Sequence, residues 1–261
     1  MIANNKLIEK RIFMNYAPNQ DRIIYNRIPK CGSTTVMKVL QTLAEQNAFN
    51  YVHSKEFNKV VISSKVQRAM INSLLSLQTP WLYDRHLQML NFTAEGLPMP
   101  DYINVFREPL ERSASYYYYT SKDKRWKLSF DECVKIRGFK CTGPINILAY
   151  LCSRSQHCFP LNENSLQIIK QNVERYYTVV GIAEDLESFF DLLEYRYPKT
   201  FRGALNVYRN ITPQNVDKRK SSHPIEESTR DALKYDLRYE YMFYEFIKQR
   251  LYNAKLSAGI I

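Results

Sequence analysis

The sequence predicts an α/β fold in which a mainly parallel sheet is flanked by helices. Short β-rich runs alternate with segments of helical periodicity, an order typical of a parallel sheet. The 261 residues, 45% of them hydrophobic, suffice for one large core. Only 7 glycines occur and no internal repeat is visible, which argues against loop-rich and repeat architectures. We expect residues 1–20 to be a lead-in segment and residues 21–255 to form one domain.

The first strand is predicted at residues 22–28, a β-rich run that ends at Pro29. A helix follows, capped by Ser33 or Thr34 and running to about Gln46, since apolar residues recur on one of its faces. Residues 81–92 place a histidine between two apolar stretches and are predicted as strand or strand end. The remaining predicted strands are 51–53, 102–106 and 177–182, and the remaining predicted helices are 66–77, 109–119, 165–176, 184–195 and 224–253.

The net charge of +11 indicates an anionic partner, such as a nucleic acid, an anionic polysaccharide, a phosphorylated ligand or a membrane surface. No run of about 18 apolar residues occurs, and residues 1–15 lack the apolar core of a signal peptide. Taken alone, this indicates a cytosolic protein. The glycosylation sequons Asn91-Phe92-Thr93 and Asn210-Ile211-Thr212 point instead to a secretory compartment, with an upstream anchor absent from this chain.

The cysteines also favour an oxidising compartment. Four of the five fall within 26 residues as two close pairs, Cys133 with Cys141 and Cys152 with Cys158, and Cys31 stands apart. Metal binding is one interpretation, but these spacings are unusual for zinc. Two local disulfides fit better, and each would stabilise the fold by roughly 2–3 kcal/mol.

Two predicted strands end in loops with phosphate-binding chemistry, and ligands of open α/β sheets bind at that edge. The first loop is Pro29-Lys30-Cys31-Gly32-Ser33-Thr34-Thr35. Main-chain N–H groups at the start of the helix, the Lys30 charge and three hydroxyls would hold an anion, and Gly32 allows close approach. The Walker A pattern is absent, which disfavours an ordinary ATPase or GTPase. The alternative is a plain strand–turn–helix junction.

The second loop begins Arg107-Glu108-Pro109 and leads into a helix that carries Glu111, Arg112 and Ser115. Arg107 at the strand end and Ser115 two turns into the helix would clamp a second phosphate. We expect Glu111 and Arg112 to lie on a solvated helix face.

Together these motifs resemble the uronyl and heparan sulfate 2-O-sulfotransferase family of Golgi carbohydrate sulfotransferases, over residues 20–253. Lys30-Cys31-Gly32-Ser33, Arg85-His86 and Arg238-Tyr239-Glu240-Tyr241 look closer to the uronyl branch. The other supporting segments are Tyr25–Lys30, Leu90-Asn91-Phe92, Tyr102-Ile103-Asn104-Val105, Phe130-Asp131-Glu132-Cys133, Val180-Gly181-Ile182 and Phe201-Arg202-Gly203.

The resemblance implies a single sulfotransferase domain with a P-loop-like sheet and 3′-phosphoadenosine 5′-phosphosulfate as donor, without a metal. The 5′-phosphosulfate would be held by Lys30, Cys31, Gly32, Ser33, Thr34 and Thr35. The 3′-phosphate would be held by Arg107 and Ser115, with Ser221 near. It places the family's disulfides at Cys133–Cys141 and Cys152–Cys158.

The resemblance also implies the chemistry. His86 falls where the family has its catalytic base, and a base of near-neutral pKa suits the activation of a sugar hydroxyl. Lys30 would stabilise charge on the departing phosphate oxygen, as in phosphoryl transfer. Where the heparan branch has a second histidine, two residues earlier, this chain has Asp84.

The implied acceptor is the 2-hydroxyl of a uronic acid in dermatan, chondroitin or heparan sulfate, inside the Golgi lumen. A type II anchor and a homo-oligomer, a trimer in the heparan branch, would be expected. Alternatives are a glycan-binding pseudoenzyme, a sulfotransferase acting on a glycoprotein glycan, and, less favoured, a P-loop kinase or nucleic-acid-binding protein. The predicted acceptor contacts are Arg27, Arg85, Arg125, Arg219 and Lys220.

Overall fold

A computed structural model describes residues 21–56, 61–120, 128–143, 147–152, 158, 160–211 and 224–260. The predicted lead-in segment, residues 1–20, lies outside them. Within these ranges no helix is both long enough and apolar enough to cross a membrane.

The centre of the molecule is a parallel sheet, so the predicted fold class is confirmed. Its five described strands lie in the order β2-β3-β1-β4-β5, and each neighbouring pair is parallel. All strands therefore end at one edge, as the phosphate-loop argument requires. The strands are β1 (Arg22–Asn26), β2 (Asn50–His53), β3 (Trp81–Arg85), β4 (Asp101–Phe106) and β5 (Tyr177–Ile182).

Nine α-helices are found in the described ranges. The single predicted tail helix, 224–253, is in fact two helices with a break between them, and Leu233 and Leu237 on either side of the break are both buried under α3 and α4. The helices are α1 (Ser33–Asn47), α2 (Ser64–Leu75), α3 (Pro109–Thr120), α4 (Phe130–Arg137), α5 (Glu163–Tyr176), α6 (Leu186–Arg196), α7 (Ala204–Ile211), α8 (Glu227–Lys234) and α9 (Arg238–Ala258).

The core lies on both faces of the sheet. Every residue of β3, β4 and β5 is buried, as expected of parallel strands covered by helices on both sides. The central strand β1 contributes Ile23, Ile24 and Tyr25, which are 1% exposed or less. Gly181 in β5 leaves room for Phe189 of α6, because a Cβ atom there would lie 2.6 Å from the Phe189 Cβ.

Both predicted disulfides are present, and this confirms the interpretation of the cysteines. Cys133–Cys141 joins α4 to the 3-10 turn that follows it, and Cys152–Cys158 closes a second short loop. Cys31 is the free cysteine, and it is buried.

A buried amide network crosses the sheet at the end of β1. Asn26 donates to the Tyr150 carbonyl at 2.8 Å and accepts from the Tyr177 hydroxyl at 3.1 Å. Asn104 of β4 donates both to the Asn26 carbonyl, at 2.8 Å, and to its side-chain oxygen, at 2.9 Å. The network joins β1, β4, β5 and the segment between the two disulfides at the edge where the site loops begin.

Replacing Asn104 with alanine should lower the free energy of unfolding by about 2–3 kcal/mol, because buried acceptors of Asn26 lose their donor. Asn47 is the matched control, since its amide also donates to two carbonyls, those of Thr200 and Arg202, but nearer the surface. We expect Asn47→Ala to lower the free energy of unfolding, measured with urea, by less than about 1 kcal/mol. Equal losses in the two variants would contradict a special role for the buried network.

Candidate active site

The loop between β1 and α1 is a tight turn whose side chains alternate between core and surface. Lys30 and Gly32 both have left-handed backbone conformations, with φ of 67° and 80°. Cys31 between them is fully buried, and burial raises the pKa of its thiol to about 12. The donor contact of Cys31 stays a prediction, and with the thiol buried it would be made by the main chain. Lys30 is half-buried, and its ammonium lies 4.1 Å from the ring centroid of Tyr119.

The start of α1 has no side-chain cap, unlike four of the other described helices. Ser63, Ser129, Asn162 and Asp185 cap α2, α4, α5 and α6 by accepting a main-chain N–H. The N-cap of α1 is Gly32, which has no side chain to do so. The prediction that Ser33 or Thr34 caps α1 is therefore wrong. First-turn N–H groups and the hydroxyls of residues 33–35 are left together at this helix end, an arrangement suited to an anion.

The second loop lies beside the first because β4 pairs directly with β1. Arg107 follows β4 and is ion-paired with Glu111 at 3.4 Å, and Ser115 is half-buried on α3. The positive charges of Arg112 and Arg107 lower the pKa of the Cys31 thiol, against the larger effect of burial. The structure thus brings Lys30, the start of α1 and Arg107 to one edge of the sheet.

Arg112 is not on a solvated face, so that prediction is wrong. It is 1% exposed and its guanidinium lies 3.4 Å from the Glu240 carboxylate of α9. Burial raises the pKa of Glu240. The Tyr241 hydroxyl, one residue further, donates to Glu108 at 2.5 Å. The helix α9, packed over α3, is what makes this part of α3 interior.

His86 directly follows β3, which pairs with β1 on the side opposite to β4. His86 is only 5% exposed. Its Nδ1 lies 2.9 Å from the main-chain oxygen of Arg27. A carbonyl oxygen only accepts, so Nδ1 carries the proton and the lone pair is on Nε2. Burial, and to a lesser degree the Arg27 charge, lowers the pKa of His86 to about 4. The side chain is a neutral imidazole at pH 7 with its basic nitrogen defined.

Arg27 and Arg85, predicted to contact an acceptor, are buried at 4% and 3% exposure. The Arg27 Nε lies 2.7 Å from Oδ1 of Asp84, and Arg85 is ion-paired with Glu56. Asp84 was missed as a site residue. The signal was present, because a carboxylate inside the apolar run of a buried strand requires a partner.

Four predicted site residues, Arg125, Arg219, Lys220 and Ser221, lie outside the described ranges. Among the residues that are described, no group of three or more His, Cys, Asp or Glu side chains is placed to hold a metal ion.

Comparison with known proteins now adds to this geometry. Residues 14–246 match the profile described as the sulfotransferase family. The chain belongs to this family. It is 30% identical over 266 residues to uronyl 2-sulfotransferase of Homo sapiens, covering 93% of this chain and 65% of that protein.

It is also 32% identical over 257 residues to heparan sulfate 2-O-sulfotransferase 1 of Xenopus laevis, covering 90% of this chain and 72% of that protein. A third relative is the uronyl 2-sulfotransferase homolog pip of Drosophila melanogaster, which is 31% identical over 278 residues. The match covers 54% of that protein. The resemblance seen in the motifs is confirmed. This sulfotransferase chain spans about two thirds, 65%, of the mammalian uronyl relative.

The lowered pKa of His86 makes the stability of this protein depend on pH in a predictable direction. The unfolded state takes up a proton at pH values below about 6.5, and the folded state does so only near pH 4. Stability is therefore lost as the pH falls between these values. We expect wild type to lose about 1–2 kcal/mol more than His86→Asn between pH 7 and 5 in urea unfolding. Asparagine retains a donor for the Arg27 carbonyl, so equal losses would show that His86 titrates normally.

Proposed function

We propose that this protein moves a sulfuryl group from 3′-phosphoadenosine 5′-phosphosulfate to the 2-hydroxyl of a uronic acid in a glycosaminoglycan. The observation that carries the proposal is the buried His86, whose Nδ1 is fixed by the Arg27 carbonyl so that Nε2 holds the lone pair. This base lies at the same sheet edge as the candidate phosphate loop.

The donor supplies an activated sulfuryl group attached to a phosphate leaving group. The residues present fit such a molecule, since the Gly32 N-cap leaves the start of α1 without a capping side chain. Lys30 would bind the 5′ end and stabilise negative charge on the leaving oxygen. Arg107 and Ser115 would bind the 3′-phosphate, with Arg107 moving from its ion pair with Glu111.

The role of His86 follows from its tautomer. A sugar hydroxyl is a weak nucleophile, and Nε2 can accept its proton as the oxygen attacks. The Arg27 carbonyl would stabilise the imidazolium that results, because Nδ1–H donates to it throughout.

An anionic glycan acceptor agrees with the net charge of +11 and with relatives that are named as uronyl and heparan sulfate 2-O-sulfotransferases. The two disulfides support an oxidising compartment, and we propose the Golgi lumen. The acceptor contacts of Arg125, Arg219 and Lys220, the donor contact of Ser221 and self-association into a homo-oligomer stay predictions.

The decisive experiment is transfer of labelled sulfate from the donor to desulfated chondroitin, dermatan and heparan chains, with disaccharide analysis of the products. Incorporation at the uronic acid 2-position supports the proposal. Donor binding without incorporation into any of these chains would favour a pseudoenzyme, and incorporation only into glycoprotein glycans would identify a different acceptor.

We expect His86→Asn to reduce kcat by about 10²–10⁴-fold, because it removes the general base while keeping the donor to the Arg27 carbonyl. The dissociation constant for 3′-phosphoadenosine 5′-phosphate, measured by calorimetry, should stay within about twofold, since the proposed role of His86 is to contact the acceptor hydroxyl and not the donor. A folded His86→Asn protein with full transfer rate would rule out His86 as the base.

The pH dependence of kcat/KM gives an independent check. The base works when His86 is neutral, so activity is retained above its pKa and lost as the pH falls through about 4. We expect a flat acid side from pH 7 to about 5.5. A midpoint near 6.5, the ordinary histidine value, would contradict the buried, neutral base.

A further inference from the structure

A buried acidic side chain next to the base has no role in the scheme above. Asp84, the fourth residue of β3, is fully buried. Its carboxylate lies 2.7 Å from the Arg27 Nε and 3.0–3.1 Å from the His53 Nδ1. The 2.7 Å contact is an ion pair without the alignment of a hydrogen bond. The His53 side chain is 40% exposed, so the pair with Arg27 is the buried one.

We propose that Asp84 is a positioning residue that acts on His86 through Arg27. It holds the arginine whose main-chain oxygen fixes the base, and it neutralises the guanidinium charge beside the imidazole. This inference rests on the proposed role of His86 as base. It assigns the buried Arg27 to supporting the base instead of contacting the acceptor.

The geometry makes Arg27 the connection between the two groups. Its carbonyl accepts from His86 Nδ1, and its own N–H donates to the Arg85 carbonyl at 2.8 Å. The backbone is thus tied to β3 on one side, while the side chain is tied to Asp84. Removing the carboxylate would leave a guanidinium that is 4% exposed without its counter-charge, which is costly and favours local rearrangement.

The charges around His86 favour the same conclusion. Three nearby groups act on it: the positive charge of Arg27 and that of a protonated His53 lower its pKa, and the negative charge of Asp84 raises it. Without Asp84 the imidazole would face Arg27 uncompensated and would be a weaker base. Removing the Asp84 charge should therefore lower kcat. It should also move the acid-side decline of the pH–activity profile to lower pH.

The test uses Asp84→Asn in the whole chain, because asparagine keeps the size of the side chain and removes its charge. We expect kcat to fall about tenfold or more at pH 7, while the affinity for 3′-phosphoadenosine 5′-phosphate changes less than twofold. Ring ¹⁵N NMR should report a protonated Nδ1 for His86 in wild type and a mixture of tautomers in the variant. The His86→Asn spectrum identifies the His86 signals.

Two further variants separate positioning from simple loss of stability. Asp101→Asn is the matched control, since Asp101 is equally buried at the opposite end of the sheet, where it accepts from the Tyr197 hydroxyl at 2.8 Å. We expect it to lower stability without altering the His86 tautomer. Adding Arg27→Met to Asp84→Asn removes the uncompensated charge and keeps the main-chain carbonyl, so it should restore at least threefold in kcat.

The variant His53→Gln tests whether Asp84 acts through Arg27 and not through His53. It leaves the Arg27–Asp84 pair in place and should change kcat less than threefold. If His53→Gln reproduces the loss of Asp84→Asn, or if Asp84→Asn keeps both the wild-type rate and the wild-type tautomer, the inference is wrong. Failure of the proposed function is distinguishable, because then the wild-type chain itself would transfer no sulfate to desulfated chondroitin, dermatan or heparan chains, whereas full activity in His86→Asn would rule out only the role of His86 as base.

Discussion

The site depends on how the end of β1 is fixed. Asn26, the last residue of that strand, is joined through buried hydrogen bonds to Asn104, Tyr177 and the Tyr150 carbonyl. The next residue, Arg27, presents its carbonyl to His86, and the phosphate loop begins two residues later. A buried amide with every partner in place has little freedom, so this network fixes the position of both the proposed base and the candidate anion-binding turn. Loss of this network would therefore disturb both halves of the site together.

The sequence predicted the sheet and the two site loops because their signals are local. Apolar β-rich runs that end in Pro29 or before Pro109 mark strand ends without any knowledge of the packing. The parallel arrangement then brings Lys30, His86 and Arg107 to one edge, since parallel strands all end on the same side. The disulfides were equally accessible, because each joins cysteines no more than 8 residues apart.

What sequence reasoning missed is set by contacts between distant segments. Arg112 has the spacing of a surface residue and becomes interior only because Glu240, 128 positions away, packs on it. The acceptor contacts of Arg27 and Arg85 stay predictions, but their ion pairs with Asp84 and Glu56 could not be predicted from the sequence. The missing side-chain cap of α1 was also not visible, since a serine beside a glycine reads equally well as N-cap or first helical residue.

A base with a pKa of about 4 in the free protein is weak for removing a proton from a sugar hydroxyl, yet its burial suits a polyanionic substrate. A cationic imidazole at this edge would pair with acceptor carboxylates, and its Nε2 lone pair would be lost to a proton. A neutral one does not attract them. In the proposed reaction, the negative charges of the donor phosphates and of an acidic sugar would favour the protonated ring and raise its pKa toward the operating pH. We infer that the base gains strength as the reactants assemble around it. Asp84 contributes permanently the kind of negative charge that the substrates add on binding, and offsets Arg27 before they arrive.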